Sequence, residues 1–170
     1  LSILPPPTKL EANEFSFVEN SGNTNPYKTI TSTNSSELEN LWVTGSGAGS
    51  KATGYWVDSD GQEATFTNLG NIYVTAVDGA NSWSQRAIGA ADGATAINKG
   101  TIVVQNAYGM TVGSDKNGST PAKIINEGSI AVYDTGAAME LGGVKGSTAE
   151  NKGQIYVSKP STNKEAFTIG

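Results

Sequence analysis

Apolar and polar residues in the second half of the chain alternate over short stretches bounded by glycine, asparagine and aspartate, the period expected of β-strands separated by turns. One seven-residue pattern, N-x-G-x-I-x-V, recurs four times without a mismatch: Asn68-Leu-Gly70-Asn-Ile72-Tyr-Val74, Asn98-Lys-Gly100-Thr-Ile102-Val-Val104, Asn126-Glu-Gly128-Ser-Ile130-Ala-Val132 and Asn151-Lys-Gly153-Gln-Ile155-Tyr-Val157. The asparagines lie 30, 28 and 25 residues apart. That spacing is in the range of solenoid repeats, and its drift places insertions in loops rather than in the repeated strand. A second pattern of small, apolar, any, apolar residues follows in Gly109-Met110-Thr-Val112-Gly113, Ala138-Met139-Glu-Leu141-Gly142 and Ala166-Phe167-Thr-Ile169-Gly170. Gly54-Tyr55-Trp-Val57 fits it upstream, and Arg86-Ala-Ile88-Gly89 fits it in part. Each repeat therefore reads as strand, turn, strand, loop, with no helical periodicity between the strands.

A single unit of this kind cannot bury its apolar side, because one coil of chain has nothing above or below it; stacking the coils solves the problem. The predicted fold is all-β, a right-handed parallel β-helix of about four to five coils of roughly 25–30 residues. Ile72, Ile102, Ile130 and Ile155 should form one interior column, and Val74, Val104, Val132 and Val157 the next. Alternation puts Asn68, Asn98, Asn126 and Asn151 on the same side, where buried amides must find partners; in register they can hydrogen-bond along the stack as a ladder. Gly70, Gly100, Gly128 and Gly153 suit positions where a side chain would clash or the backbone needs positive φ. Tyr73, Val103, Ala131 and Tyr156, between the Ile and Val columns, are expected on the outer surface.

Upstream the pattern changes. Residues 1–36 are rich in Pro, Ser, Thr and Asn, with Pro5, Pro6 and Pro7 in a row and alternation at Phe15, Phe17 and Val18; they read as an extended leader with one strand. Residues 37–51 read as a cap and a flexible loop. Ser36, Leu38, Glu39, Leu41 and Trp42 fit a short capping helix, and Asn40-Leu-Trp-Val fits a strand equally well. The solenoid proper is assigned to residues 52–170, and a strand ending at Gly170 points to continuation in a longer parent protein.

Composition narrows the function. Charged residues make up 16% of the 170, the formal charge is −5, Arg86 is the single arginine and the lysines are scattered, so no electrostatic footprint for nucleic acid exists. Absent cysteine excludes disulfides and thiolate metal sites, and absent histidine removes the commonest general base. No stretch approaches the roughly 20 apolar residues of a membrane-spanning helix.

Candidate chemistry is correspondingly thin. Asp58-Ser-Asp60-Gly61-Gln-Glu63 resembles half of a calcium loop but lacks the remaining ligands, and a polar turn between Val57 and Phe66 accounts for it better. Asp78, Asp92, Asp115 and Asp134 fall in separate turns, without the register a catalytic cluster needs. No catalytic residue, metal site or cofactor is assigned. Trp83 and Arg86, at the end of the longest inter-strand loop, are candidate binding residues because Trp and Arg anchor interfaces. Tyr108, Tyr133 and Tyr156 could extend an exposed aromatic surface, though tyrosines on strands more often serve ordinary packing.

The N-x-G-x-I-x-V repeat and its partner strand, in a cysteine-free chain rich in Gly, Ser, Thr and Asn, resemble the passenger regions of bacterial autotransporters, especially adhesin-type members. The likeness spans about residues 52–170. It implies a secreted passenger at the cell surface or outer membrane, with membrane contact only through an outer-membrane barrel elsewhere in the parent chain. It further implies a monomer that adheres to host cells or other bacteria through a surface receptor, protein or glycan. A polysaccharide-degrading β-helix enzyme and a passive structural stalk remain open beside it, since one fold hosts many functions.

Overall fold

The computed structural model describes residues 15–20, 26–31, 34–45, 52–76, 85–113, 120–142, 144–158 and 164–169, with Asn20 and residues 164–169 as backbone alone. Among the described residues every regular element is a β-strand. The strands form three faces of a prism. The first holds β1 (Ser16–Asn20), β4 (Leu41–Gly45), β7 (Asn71–Ala76), the first half of β10 (Thr101–Val112), the first half of β12 (Ser129–Leu141) and β14 (Gln154–Val157). The second holds β2 (Lys28–Ile30), β5 (Thr53–Asp58), β8 (Arg86–Ala91), the second halves of β10 and β12, and β15 (Lys164–Ile169). The third stacks β3 (Asn34–Glu37), β6 (Ala64–Asn68), β9 (Ala94–Asn98), β11 (Lys123–Asn126) and β13 (Thr148–Asn151). All pairings are parallel and join each strand to its counterpart in the next coil. This is a parallel β-solenoid, and from Glu37 to Asn151 the chain completes about four turns.

Each coil thus has three strands rather than the two expected from sequence. The extra strand is the third face, which ends on the ladder asparagine: Ala64-Thr-Phe66-Thr-Asn68 pairs residue for residue with Ala94-Thr-Ala96-Ile-Asn98. Its interior row is Phe66, Ala96, Ile124 and Ala149, too varied in size to stand out as a repeat. On the second face, Tyr55 pairs with Ile88 and Val57 with Ala90. The full match there is Ala87-Ile88-Gly89-Ala90, one residue later than the partial fit that starts at Arg86.

The solenoid also begins earlier than residue 52. Strand β3 pairs with β6 so that Glu37 stands opposite Asn68, and Leu41 and Val43 stand opposite Ile72 and Val74. Glu37-Leu-Glu39-Asn-Leu41-Trp-Val43 is therefore a degenerate copy of the heptad, and the stretch around residues 36–43 is strand, turn and strand, not helix. The predicted interior columns are present: Ile72, Ile102, Ile130 and Ile155 are in register, as are Val74, Val104, Val132 and Val157. All but the last pair are fully buried; Ile155 and Val157 pack partly buried at the end of the core.

The asparagine ladder is continuous. Asn68 Nδ2 donates to Asn98 Oδ1 at 2.9 Å, Asn98 Nδ2 to Asn126 Oδ1 at 2.9 Å and Asn126 Nδ2 to Asn151 Oδ1 at 2.8 Å. Each amide also closes its own turn; Asn68 Nδ2 donates to the Gly70 carbonyl at 3.1 Å and its Oδ1 accepts from the Gly70 N–H at 3.2 Å. The following glycines are required by close approach rather than by positive φ. A Cβ at Gly100 would sit 1.9 Å from the Gly70 carbonyl oxygen, and one at Gly128 2.1 Å from that of Gly100. No side chain fits such a gap.

Candidate binding surfaces

The outer side of the first face carries one row in register: Phe17, Trp42, Tyr73, Val103, Ala131 and Tyr156. Expected on the surface, Tyr73, Val103 and Ala131 are instead buried, at 4%, 0% and 0% exposure. They form a second, external apolar cluster against which Phe15, Trp42 and Tyr133 pack. Apolar outer positions aligned coil on coil gain by covering one another. Elsewhere in the row Trp42 is partly exposed, Phe17 is 50% and Tyr156 48% exposed.

At the edge between the first and second faces, β10 and β12 do not break but bend. Asn106 and Asp134 take positive φ of 54° and 62°, Gly136 follows at 136°, and the register slips between Gln105 and Ala107. The bulge is held by the buried Asn106, which donates through Nδ2 to the Ala76 carbonyl at 2.9 Å and accepts at Oδ1 from the Thr135 N–H and hydroxyl at 3.1 and 2.9 Å. Bulges re-aim side chains. Here the bulge leaves Tyr133 and the exposed Asp134 side by side at the rim; Gln105 Nε2 donates to Asp134 Oδ2 at 2.6 Å, and the Tyr133 ring lies 6.1 Å from that of Tyr156, tilted by 53°. Burial, and then the neighbouring Tyr156, push the Tyr133 phenol above its ordinary pKa.

The second face carries one of the two binding residues proposed from sequence. Trp56 lies across glycines: a Cβ on Gly89 would fall 2.5 Å from its ring, and one on Gly113 2.9 Å. The Arg86 guanidinium sits 5.0 Å from the Trp56 ring centroid, with Nη1 donating to Thr111 Oγ1 at 3.4 Å. Arg86 is thereby joined to Trp56, a partner the sequence did not suggest. Trp83 lies outside the described residues. Tyr108 stands on β10 beside Arg86, with which it is in register.

On the third face, between the strands and the turns that lead into them, runs a groove of about 430 Å³. Its floor is the outer row Asn34, Thr65, Thr95 and Lys123, in register on successive coils, and its walls include Glu63 and Thr120. The walls are fixed by turn chemistry. Asp60 and Gly61, like Asp92 and Gly93, take positive φ, which Asp and Gly tolerate. Asp58 Oδ1 accepts from the Asp60 N–H at 3.0 Å, and Asp92 Oδ1 from the Thr120 N–H at 2.9 Å. Asp58 to Glu63 is thus a polar turn whose first carboxylate serves its own backbone. Among the described residues no three acidic side chains converge as a metal site would need.

At the N-terminal end three ionised side chains meet. Lys28 Nζ lies 3.1 Å from Glu37 Oε1 and 3.6 Å from Glu39 Oε2, and the Tyr27 hydroxyl donates to Glu39 at 2.5 Å. Below them Tyr55 Oη and Ser35 Oγ are buried without a hydrogen-bond partner among the described residues.

Comparison with known proteins gave one match. A family model described as the BigA third pectate lyase-like domain covers residues 10–169, which takes in the strands upstream of residue 52 as well as the N-x-G-x-I-x-V coils. No curated protein and no solved structure matched significantly.

Proposed function

This chain belongs to the family of the BigA third pectate lyase-like domain, and we propose that it is an adhesion module of a bacterial surface protein that binds without cutting. BigA is a bacterial surface protein, and a β-solenoid domain of such a protein offers its long outer faces to whatever the surface meets. The observation that carries the proposal is the third-face groove. Its floor presents Asn34, Thr65, Thr95 and Lys123 one coil apart, about 4.8 Å along the axis, which is an array of hydroxyl, amide and ammonium groups suited to an extended polar ligand such as a surface glycan.

The same groove argues for binding over cleavage. Hydrolysis of a glycosidic bond uses two carboxyl groups about 5 to 9.5 Å apart, and among the described residues that line the groove Glu63 is the one carboxylate. A lysine that accepts a proton is normally enclosed, whereas Lys123 is exposed. The adhesin family resembled in sequence agrees with this role; autotransporter secretion stays part of the proposal.

The test pairs two measurements on the same folded domain. Binding to bacterial and host-cell surfaces is measured for the wild type and for Thr95→Ala and Lys123→Ala, and polysaccharides incubated with the domain are assayed for new reducing or unsaturated ends. Saturable binding that falls about tenfold in either variant, the effect of losing one good hydrogen bond, with no cleavage, supports adhesion. Cleavage would establish the enzyme, and an inert domain that neither binds nor cuts would leave the stalk.

A further inference from the structure

The outer rim between the first and second faces holds a second arrangement that the groove does not use. Tyr133 is anchored, because it packs on the external cluster of Tyr73, Val103 and Ala131. Tyr156, one coil on, leans on Tyr133 at 6.1 Å between centroids and is 48% exposed. Beside them the Asp134 carboxylate is solvent-exposed yet oriented, since Gln105 Nε2 holds its Oδ2 at 2.6 Å. The backbone that delivers Asp134 is itself fixed: its φ of 62° belongs to a bulge pinned by Asn106 through three hydrogen bonds. A non-glycine residue is strained in this conformation and persists only where its surroundings determine it.

We propose that Tyr133, Tyr156, Asp134 and Gln105 form a saccharide-binding site for a neutral or amino sugar. An exposed aromatic ring held at a fixed tilt offers an apolar face to the C–H side of a pyranose, and rings locked by packing lose little entropy when a ligand arrives. A pyranose equally needs acceptors for its hydroxyls, and an oriented carboxylate beside the ring supplies charge-assisted ones. The sign of the charge decides the sugar class. Asp134 repels a uronate carboxylate and attracts an ammonium, so acidic polysaccharides are disfavoured here, in contrast to what a pectate lyase-like name suggests. The site lies on a different face from the groove, and its occupation does not depend on the groove's role.

The experiment is titration of the isolated domain with neutral oligosaccharides (cellotriose, maltotriose), an amino-sugar oligomer (chitosan trimer) and trigalacturonate, read by NMR shifts of the Tyr133 and Tyr156 ring resonances. Binding of at least one neutral or amino sugar is expected, with affinity reduced about tenfold or more in Tyr156→Ala and in Asp134→Asn and unchanged in Thr95→Ala. Trigalacturonate should bind the wild type more weakly than the neutral sugars, and that gap should close in Asp134→Asn. Tyr156 is half exposed, so its removal leaves the fold intact, as the unchanged resonances of the interior valines will confirm. The site is overturned if no sugar of this set moves the two tyrosines, if trigalacturonate binds best, or if Tyr156→Ala binds as well as the wild type. Loss of affinity in Thr95→Ala instead of Tyr156→Ala would place the sugar in the groove and overturn this site while leaving the adhesion proposal standing.

Discussion

Asn98 donates to Asn126 Oδ1 and accepts from Asn68 Nδ2, each at 2.9 Å, and all three asparagines are fully buried. The relationship is cooperative, because each amide is donor to one coil and acceptor from the other while also closing its own turn through the Gly100 carbonyl at 3.2 Å. Replacing Asn98 by Ala strands a donor on Asn68 and an acceptor on Asn126. Each buried group left without a partner costs about 1–3 kcal/mol, so Asn98→Ala should lower unfolding free energy by about 3 kcal/mol in urea titration. Asn151→Ala should cost much less, since Asn151 is exposed. Equal losses at the two positions would show that the ladder is not what holds the turns.

The glycine after each ladder asparagine gives a sharper contrast. A Cβ at Gly100 would lie 1.9 Å from the Gly70 carbonyl oxygen, whereas one at Gly142 would meet nothing closer than the Val112 carbonyl at 3.5 Å. Gly100→Ala must push two coils apart and should destabilise by more than about 3 kcal/mol, at the upper end for single substitutions. Gly142→Ala should change thermal stability by less than about 0.5 kcal/mol. Circular dichroism melts of the two variants side by side test the claim, and similar melting points would refute it.

Much of this architecture is written plainly in the chain, and the parts that are not have physical causes. The Ile and Val columns of the first face are legible because a row shared by stacked coils rewards identical residues. The third-face strand is not, because its interior row of Phe66, Ala96, Ile124 and Ala149 fills the corner with unequal volumes. The earliest coil hides for another reason: Glu37 and Glu39 replace Asn and Gly where Lys28 supplies a partner. From sequence Tyr133 and Tyr156 suit ordinary strand packing more than an exposed aromatic surface, and their union with Asp134 and Gln105 depends on the bulge at Asn106, which no local pattern announces. Likewise the tie between Arg86 and Trp56 spans two coils and follows from glycine at positions 89 and 113, not from proximity in sequence.

Tyr55 supplies a prediction of opposite sign. Its hydroxyl is buried without a partner among the described residues, and burial, then the charges of Glu39 and Glu37, push the phenol far above its ordinary pKa. The ring packs on Phe66 at 4.9 Å between centroids, a contact that phenylalanine keeps. Removing only the hydroxyl relieves an unpaired polar group, so Tyr55→Phe should raise stability by about 1 kcal/mol. A loss of stability would mean that the hydroxyl has a partner after all.

The ionic group at the N-terminal end makes folding depend on pH at both extremes. Burial pushes the Glu39 carboxyl up, but hydrogen bonds from Ser16 and Tyr27 and the charge of Lys28 outweigh it and hold the group below its ordinary 4.5. A carboxyl whose folded pKa is depressed contributes stability that is fully present above the unfolded value and is lost as pH falls through the folded one. Lys28 is raised above 10.5, chiefly by its hydrogen bond to Glu37; its contribution is present below that value and fades as pH rises beyond it. Both side chains are partly exposed, at 22% and 40%, so solvent and salt keep each effect modest. Melting temperature should therefore be flat through neutral pH and decline below about pH 4.5 and above about pH 10.5. In Glu39→Gln the acid decline should be shallower, because the group whose protonation drives part of it is gone, and the alkaline limb should also flatten, because Lys28 loses one of its two carboxylates. Added salt should reduce the difference between wild type and Glu39→Gln at neutral pH. An acid limb identical in the two proteins would assign that decline to other carboxylates and remove the N-terminal ion group from the account of acid stability.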